Sequence, residues 1–408
     1  MFAGGFIVYS IGQTGLQVLG QVIVADITTS RARGLANGLV QLPFMIIPWL
    51  SAFIVDSALA NIGWRWGIAM YAIILPVCSC AIIVPLFYYQ HRVSKIDPTA
   101  RRKHKQSLKS FCSQIDLGGM VLLTTGLAMV LIPIALAGKT SNSWSAPWVP
   151  TLLSIGVLLL VALVFYESRF ATRPVVPPHY LRNASLVLSF IIGLLDAFAY
   201  SITHTYMYAW VTVSHNFRAR DATFLTYTAG CLQVVTGLLT GWIMYRRRRY
   251  KNLLIIGVVI RLIGYGVMLR IRGTSNHIAE LFAVQIVQGA GSGAVGTVVI
   301  VVAQVVVEKA QLAQATALVL LCIYLGNAMG SSTAGCIYTS MFKDRLRTHL
   351  GSQASQETIN AAFDKITGSL PKMGTPERMA INLAVSLLVI ELGISVDHCC
   401  SILTFSAT

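Results

Sequence analysis

The sequence predicts an all-helical polytopic membrane protein, and three observations predict it. Of 408 residues, 55% are apolar and only 11% charged, under half the roughly 25% charge that covers a soluble domain. Uncharged stretches of about 20 residues, enough to cross a bilayer, follow one another with little between them. The Lys and Arg residues behind the net charge of +16 sit in short clusters between those stretches. That placement orients a membrane protein and argues against nucleic-acid binding. The eight cysteines show neither zinc-ligand spacing nor a disulfide framework, and they read as small apolar filler.

Eleven spans are expected in order: Phe2–Ala25, Gly34–Val55, Trp66–Gln90, Leu117–Gly138, Trp148–Tyr166, Leu186–Val213, Ala222–Tyr245, Leu253–Leu269, Leu281–Val307, Ala310–Phe342 and Met379–Val396. Prolines 43, 48, 76, 85 and 133 predict kinks that neighbouring helices cover. If Asp26–Arg33 is cytoplasmic, the short cytoplasmic loops carry about three times as many Lys and Arg as the short loops opposite. The run Arg246–Arg249 is the strongest of these signals, and the sequon at Asn183 then faces the cytoplasm and stays unglycosylated. Phe2–Ala25 shows neither the basic start nor the cleavage site of a signal peptide, and the chain reads as lacking its beginning.

Ionisable residues inside spans are the first functional candidates, because each costs a few kcal/mol in lipid. Asp196, Tyr200, His204 and Tyr208 recur at intervals of four, which places them on one slowly drifting helix face. An acid, an imidazole and two phenols on one stripe suit proton exchange and hydrogen bonding to a polar ligand; the alternative is a polar seam that only joins helices. Arg261 stands mid-span and requires a partner, Asp196 or another carboxylate. Gln13 and Gln17 lie one turn apart, and Gln285 and Gln288 share another span. They bind a polar ligand or bridge helices. Gly289-x-Gly291-x-Gly293-x-x-Gly296 has no preceding strand and lies within an apolar span, so it predicts close helix packing, as do Gly34-x-x-x-Gly38 and Gly326-x-x-x-Gly330. The stretch around Ile359–Ile366 reads as amphipathic. No residue cluster has the spacing of a metal site, a cofactor or a nucleophile, and no enzyme is expected.

Several segments carry a resemblance. Tyr9-Ser-Ile-Gly-Gln-Thr-Gly-Leu-Gln17, then Ala25-Asp-Ile-Thr-Thr-Ser30 with Arg31-x-Arg33-Gly34, resembles the fourth helix and following loop of fungal siderophore–iron transporters, a 14-helix branch of the major facilitator superfamily. Gly63-Trp-Arg-Trp-Gly-Ile68, Leu136-Ala-Gly138 and Leu370-Pro-x-x-Gly-Thr-Pro-Glu-Arg378 are similar to the same family. Helices one to three have no counterpart, Gln41–Pro48 lacks the antiporter pattern, and the sequence beyond Arg378 departs from the family.

The resemblance implies a partial major facilitator fold: 1–90 as three helices of an amino-terminal bundle, 91–114 as a basic cytoplasmic loop, and 115–183 as two linker helices. Residues 184–408 become a six-helix carboxy-terminal bundle with an extracellular loop at 343–378. It implies proton-coupled uptake of ferric siderophores by alternating access, in a monomer of the plasma or a vesicular membrane. A drug or glutathione exporter and a non-transporting fragment are the alternatives. It further implies that Asp26, Arg31, Arg33, Arg246 and Arg249 form latches at the cytoplasmic gate, and that the glutamine amides face a neutral, oxygen-rich chelate.

Overall fold

The computed structural model describes residues 2–61, 63–96, 116–137, 145–170, 174–175, 177–247, 249–271, 276–350, 359, 363, 374–375, 377–387 and 389. Among them the secondary structure is helical throughout: α1 (Phe2–Ile27), α2 (Arg33–Val40), a 3₁₀ turn (Leu42–Met45), α3 (Ile47–Asn61), α4 (Trp64–Ile96), α5 (Leu117–Leu136), α6 (Trp148–Arg169), α7 (Ala184–His204), α8 (Met207–Ser214), α9 (Ala219–Arg247), α10 (Lys251–Ile271), α11 (Ile278–Val306) and α12 (Leu312–Leu350). Residues 377–387 are helical as well. Nine described helices are long and apolar enough to cross a membrane, and the chain is a multi-pass membrane protein.

Three expected spans differ in detail. Gly34–Val55 is not one helix: it divides into α2, the 3₁₀ turn and α3. Pro43 and Pro48 lack the amide that would continue an i→i−4 ladder, whereas Pro76, Pro85 and Pro133 sit inside unbroken helices. The span over Leu186–Val213 breaks at Thr205–Tyr206. There the Thr203 and Thr205 hydroxyls bond back to carbonyls one turn earlier, at 3.0 and 2.6 Å, a pattern that bends helices. The tenth span runs past Phe342 to Leu350, so 343–350 is helix and not loop. Residues 97–114 and 140–143, Glu391, Asp397, His398, Cys399 and Cys400 lie outside the described residues.

Small residues set the packing. α11 lies between α9 and α10. A Cβ on Gly289 would sit 2.7 Å from Leu232 of α9, and one on Gly291 would sit 2.8 Å from the Arg261 nitrogen of α10. α12 closes on α7 through Gly326 and Gly330, and α2 on α9 through Gly34 and Gly38. The glycine runs therefore serve close backbone approach. The α5–α6 hairpin docks on α12, where Gly335 meets Ala135. Ile359 and Phe363, from the stretch expected to be amphipathic, are buried in the core, where Phe363 stacks on Tyr338 and Phe342. Phe6, Ile11 and Leu16 of α1 remain exposed, as suits lipid-facing side chains.

Candidate functional site

Helices α1, α2 and the 3₁₀ turn face α7, α9, α11 and α12 across a cavity of about 320 Å³. Its two sides differ in chemistry. From α1 and α2 come Gln17, Gln21 and Asn37, with Gln41 just after them. Gln21 and Asn37 are 8% and 7% exposed. The Gln21 Oε1 and both polar atoms of the Asn37 amide have no hydrogen-bond partner among the described residues. A buried polar group left unpaired costs about 1–3 kcal/mol, so this is where a ligand or ordered water is needed. Gln233 of α9 lines the cavity too, and the Tyr324 hydroxyl of α12 donates to Gln17 Oε1.

The other side holds Asp196, the only charged residue among the described lining residues. Its Oδ1 accepts a hydrogen bond from Arg261 Nε at 2.6 Å, the two side chains being 18% and 5% exposed. The guanidinium is further held by the carbonyls of Gln288 and Asp196, each at 3.4 Å. It lies 5.7 Å from the Tyr200 ring and 5.3 Å from the Tyr265 ring, within cation–π range. Of the two partners expected for Arg261, the fold supplies Asp196.

Tyr200 then stacks on His204, with ring centroids 4.0 Å apart. His204 Nε2 meets Gln285 Oε1 at 3.2 Å, and Gln285 Nε2 donates to the Met207 sulfur. Gln288 points its amide nitrogen at the Met268 sulfur, while its Oε1 has no partner among the described residues. One polar ladder thus joins α7, α10 and α11. It reaches the cavity at Asp196 and, at Tyr200 and His204, a second, open cleft of about 400 Å³ shared with Asn327 and Ser331.

Two expected residues stand apart. Tyr208 lies past the break, on α8, and is exposed, because the interruption at Thr205 takes it off the helix that carries the rest. Gln13 is exposed on α1 and does not line the cavity. Gln21, Asn37, Gln41 and Gln233 were missed by sequence reasoning. Gln21 continues the four-residue spacing of Gln13 and Gln17 and was open to discovery; the other three carried no such signal.

The residues expected to form latches make other contacts. Arg33 is buried, and its Nη1 donates to the Gln304 carbonyl at 2.5 Å. Arg31 donates through Nε to the Tyr245 carbonyl at 2.9 Å, its guanidinium 4.5 Å above the Tyr245 ring. Both carbonyls lie in the last turns of α11 and α9, where the helix dipole favours a cation. The partners are therefore backbone oxygens of distant helices. Burial lowers the pKa of Arg33, partly offset by the charge of Asp26. Asp26, Arg246 and Arg249 are exposed, and Arg246 lies over Trp242 of its own helix at 5.8 Å. No group of three or more His, Cys, Asp or Glu side chains able to hold a metal occurs among the described residues.

Comparison with known proteins follows the same line. The chain is 29% identical over 393 residues to an MFS siderochrome iron transporter of Aspergillus fumigatus, covering 94% of this chain and 64% of that protein. It is 29% identical to a siderophore iron transporter of Schizosaccharomyces pombe, covering 94% of this chain and 63% of that protein. A low affinity heme transporter of Schizosaccharomyces pombe is 27% identical, with 87% and 58% covered. The chain therefore spans a little under two thirds of the length of these relatives. A solved bacterial homologue of the human lysosomal transporter Spinster is 13% identical, with a TM-score of 0.44 over 96% of this chain and 92% of that one. The family description "Fungal trichothecene efflux pump" matches residues 10–390, and the chain belongs to that family.

Proposed function

We propose that this chain carries ferric siderophores across a membrane by alternating access, driven by protons, and is no enzyme. The observation that supports it most is the Asp196–Arg261 pair at the wall of a cavity inside membrane-spanning helices. A carboxylate in lipid is kept for a purpose, and here it borders open space and not only packed side chains. Proton binding to Asp196 would release Arg261, leaving a buried cation that must find new partners; that is a two-state element of the kind coupling requires. The stripe from Asp196 through Tyr200 to His204 links the cavity with the open cleft, so protons and cargo meet on one helix.

In this reading residues 1–90 contribute to one bundle, 115–183 are linker helices and 184–408 make the other bundle. Arg31 and Arg33 then close the cytoplasmic gate across the two, and the protein works as a monomer. The siderophore relatives support chelate as cargo. The family's description as an efflux pump supports a second reading, outward movement of a small organic toxin.

Proteoliposomes containing the chain and given an inward proton gradient test the choice. Accumulation of radiolabelled ferric chelate that collapses with a protonophore is expected. Chelate that never enters, or that leaves against its gradient, would overturn the uptake reading.

A further inference from the structure

We infer that Gln21 and Asn37 determine cargo specificity by reading peptide-type N–H and C=O groups on an uncharged ligand scaffold, whatever metal that scaffold carries. The inference rests on the cavity being the cargo site proposed above.

Asn37 is the informative residue. Its Oδ1 and its Nδ2 are both without partners among the described residues, while the residue is 7% exposed. Exchanging the oxygen and nitrogen positions leaves one acceptor and one donor unmet either way. The complement of a primary amide short of both is a group offering one N–H and one oxygen side by side, as the N–H and C=O flanking one Cα of an extended peptide residue do. Gln21 adds an acceptor, Oε1, that also needs an N–H. A ligand made only of oxygen acceptors would leave both of these oxygens buried and unsatisfied.

Charge works in the same direction. Among the described lining residues Asp196 is the one that carries a charge, and its carboxylate is engaged by Arg261 at 2.6 Å. Neither an anionic nor a cationic cargo therefore finds an uncommitted counter-charge among the described lining residues, and burial of an unpaired charge is costly. With Gln17, Gln41 and Gln233 alongside, the surface is a field of neutral dipoles. The metal inside a chelate contributes no surface hydrogen bond, so exchange of the metal should go unnoticed.

The test measures binding to the purified full chain in lipid nanodiscs, using defined probes. These are a neutral ferric trihydroxamate on a cyclic peptide scaffold, its gallium(III) form, a matched neutral ferric trihydroxamate lacking peptide N–H groups, and a metal-free cyclic peptide of the same scaffold. The expected result is equal binding of the iron and gallium forms within about twofold, and at least roughly tenfold weaker binding of the form without N–H groups, each of the two buried hydrogen bonds left unmade costing on the order of tenfold. Asn37→Leu and Gln21→Met, near in size but unable to make these bonds, should erase that tenfold preference. Because Asn37→Leu alone could fold poorly, Gln21→Met serves as an independent second variant and thermal melting of both is recorded.

Equal binding of the two ferric scaffolds, or a preference that survives in folded variants, overturns the inference and leaves the iron reading standing. Binding of the metal-free peptide without either ferric form keeps the amide site and overturns the iron reading. No binding of any probe, as ordered water at the amides would give, overturns both.

Discussion

The two walls of the cavity differ in how their polar groups are satisfied, and under the proposed function the difference separates two tasks. On α1 and α2 the amides of Gln21 and Asn37 are buried with atoms unpaired. On α7 and α10, Asp196 and Arg261 meet each other, with backbone carbonyls and two aromatic rings around the guanidinium. A wall with unmet hydrogen bonds has something to offer a cargo. A wall that is internally neutral has a state to lose when a proton arrives.

Breaking the paired wall should have the largest effect. Asp196→Ala leaves Arg261 buried without its carboxylate, a loss of about 3–5 kcal/mol by the usual cost of orphaning a buried charge. It should appear as a sharp drop in the melting temperature of the detergent-solubilised protein. Removing both charges, Asp196→Asn with Arg261→Gln, should recover most of that stability. A double variant no more stable than the single one would mean that the pair does not carry the energetics assigned to it.

Next in size is the contact at the basic end. A Cβ at Gly241 would lie 2.5 Å from the Gly34 carbonyl group, so Gly241→Val should push α2 away from α9. A cysteine placed at Asn37 should then label faster from the side of Arg31 and Arg33, and unchanged labelling would argue against closure there. Arg33→Ala removes the bond to the Gln304 carbonyl, a charged hydrogen bond typically worth about 1.5–3 kcal/mol, and should raise the same labelling rate less.

Smaller effects are expected along the polar ladder. Tyr200→Phe keeps the ring that stacks on His204 and should weaken proton-driven uptake by only a fewfold. His204→Gln, which loses the ring but keeps hydrogen-bonding capacity towards Gln285, should do the same. The smallest effect concerns His215, just past α8, whose pKa burial pushes below its ordinary 6.5. A histidine held neutral by the fold stabilises it fully above that ordinary value, and the contribution fades as pH falls below it. Melting temperature should therefore decline more between pH 7 and 5 in the parent than in His215→Phe; parallel curves would remove His215 from the account.

Much of this architecture was legible in the residues. Long uncharged runs have no other use than lipid or a large core, so most spans could be read directly. The stripe Asp196, Tyr200 and His204 was legible because a helix repeats every 3.6 residues; Tyr208 was not, since the break at Thr205 comes from side-chain hydroxyls competing locally with the backbone. Division of Gly34–Val55 was half visible in Pro43 and Pro48. What the sequence hid is long-range: Asn37 and Gln233 lining one cavity, or Arg33 reaching a carbonyl of α11, depends on how helices far apart in the chain are stacked. Asp26 was named with the arginines as a latch because charges are visible in a sequence and helix-end carbonyls are not.

The division of labour between the walls is tested most directly by comparing two variants in sealed proteoliposomes with an imposed proton gradient, following ferric chelate uptake over time. The doubly neutral Asp196→Asn, Arg261→Gln protein should still let chelate equilibrate down its own gradient, and should no longer concentrate it. Asn37→Leu should concentrate chelate in response to the gradient but require roughly tenfold more of it outside, the scale of one buried hydrogen bond lost. Concentrative uptake by the doubly neutral protein at the parent level would contradict the account.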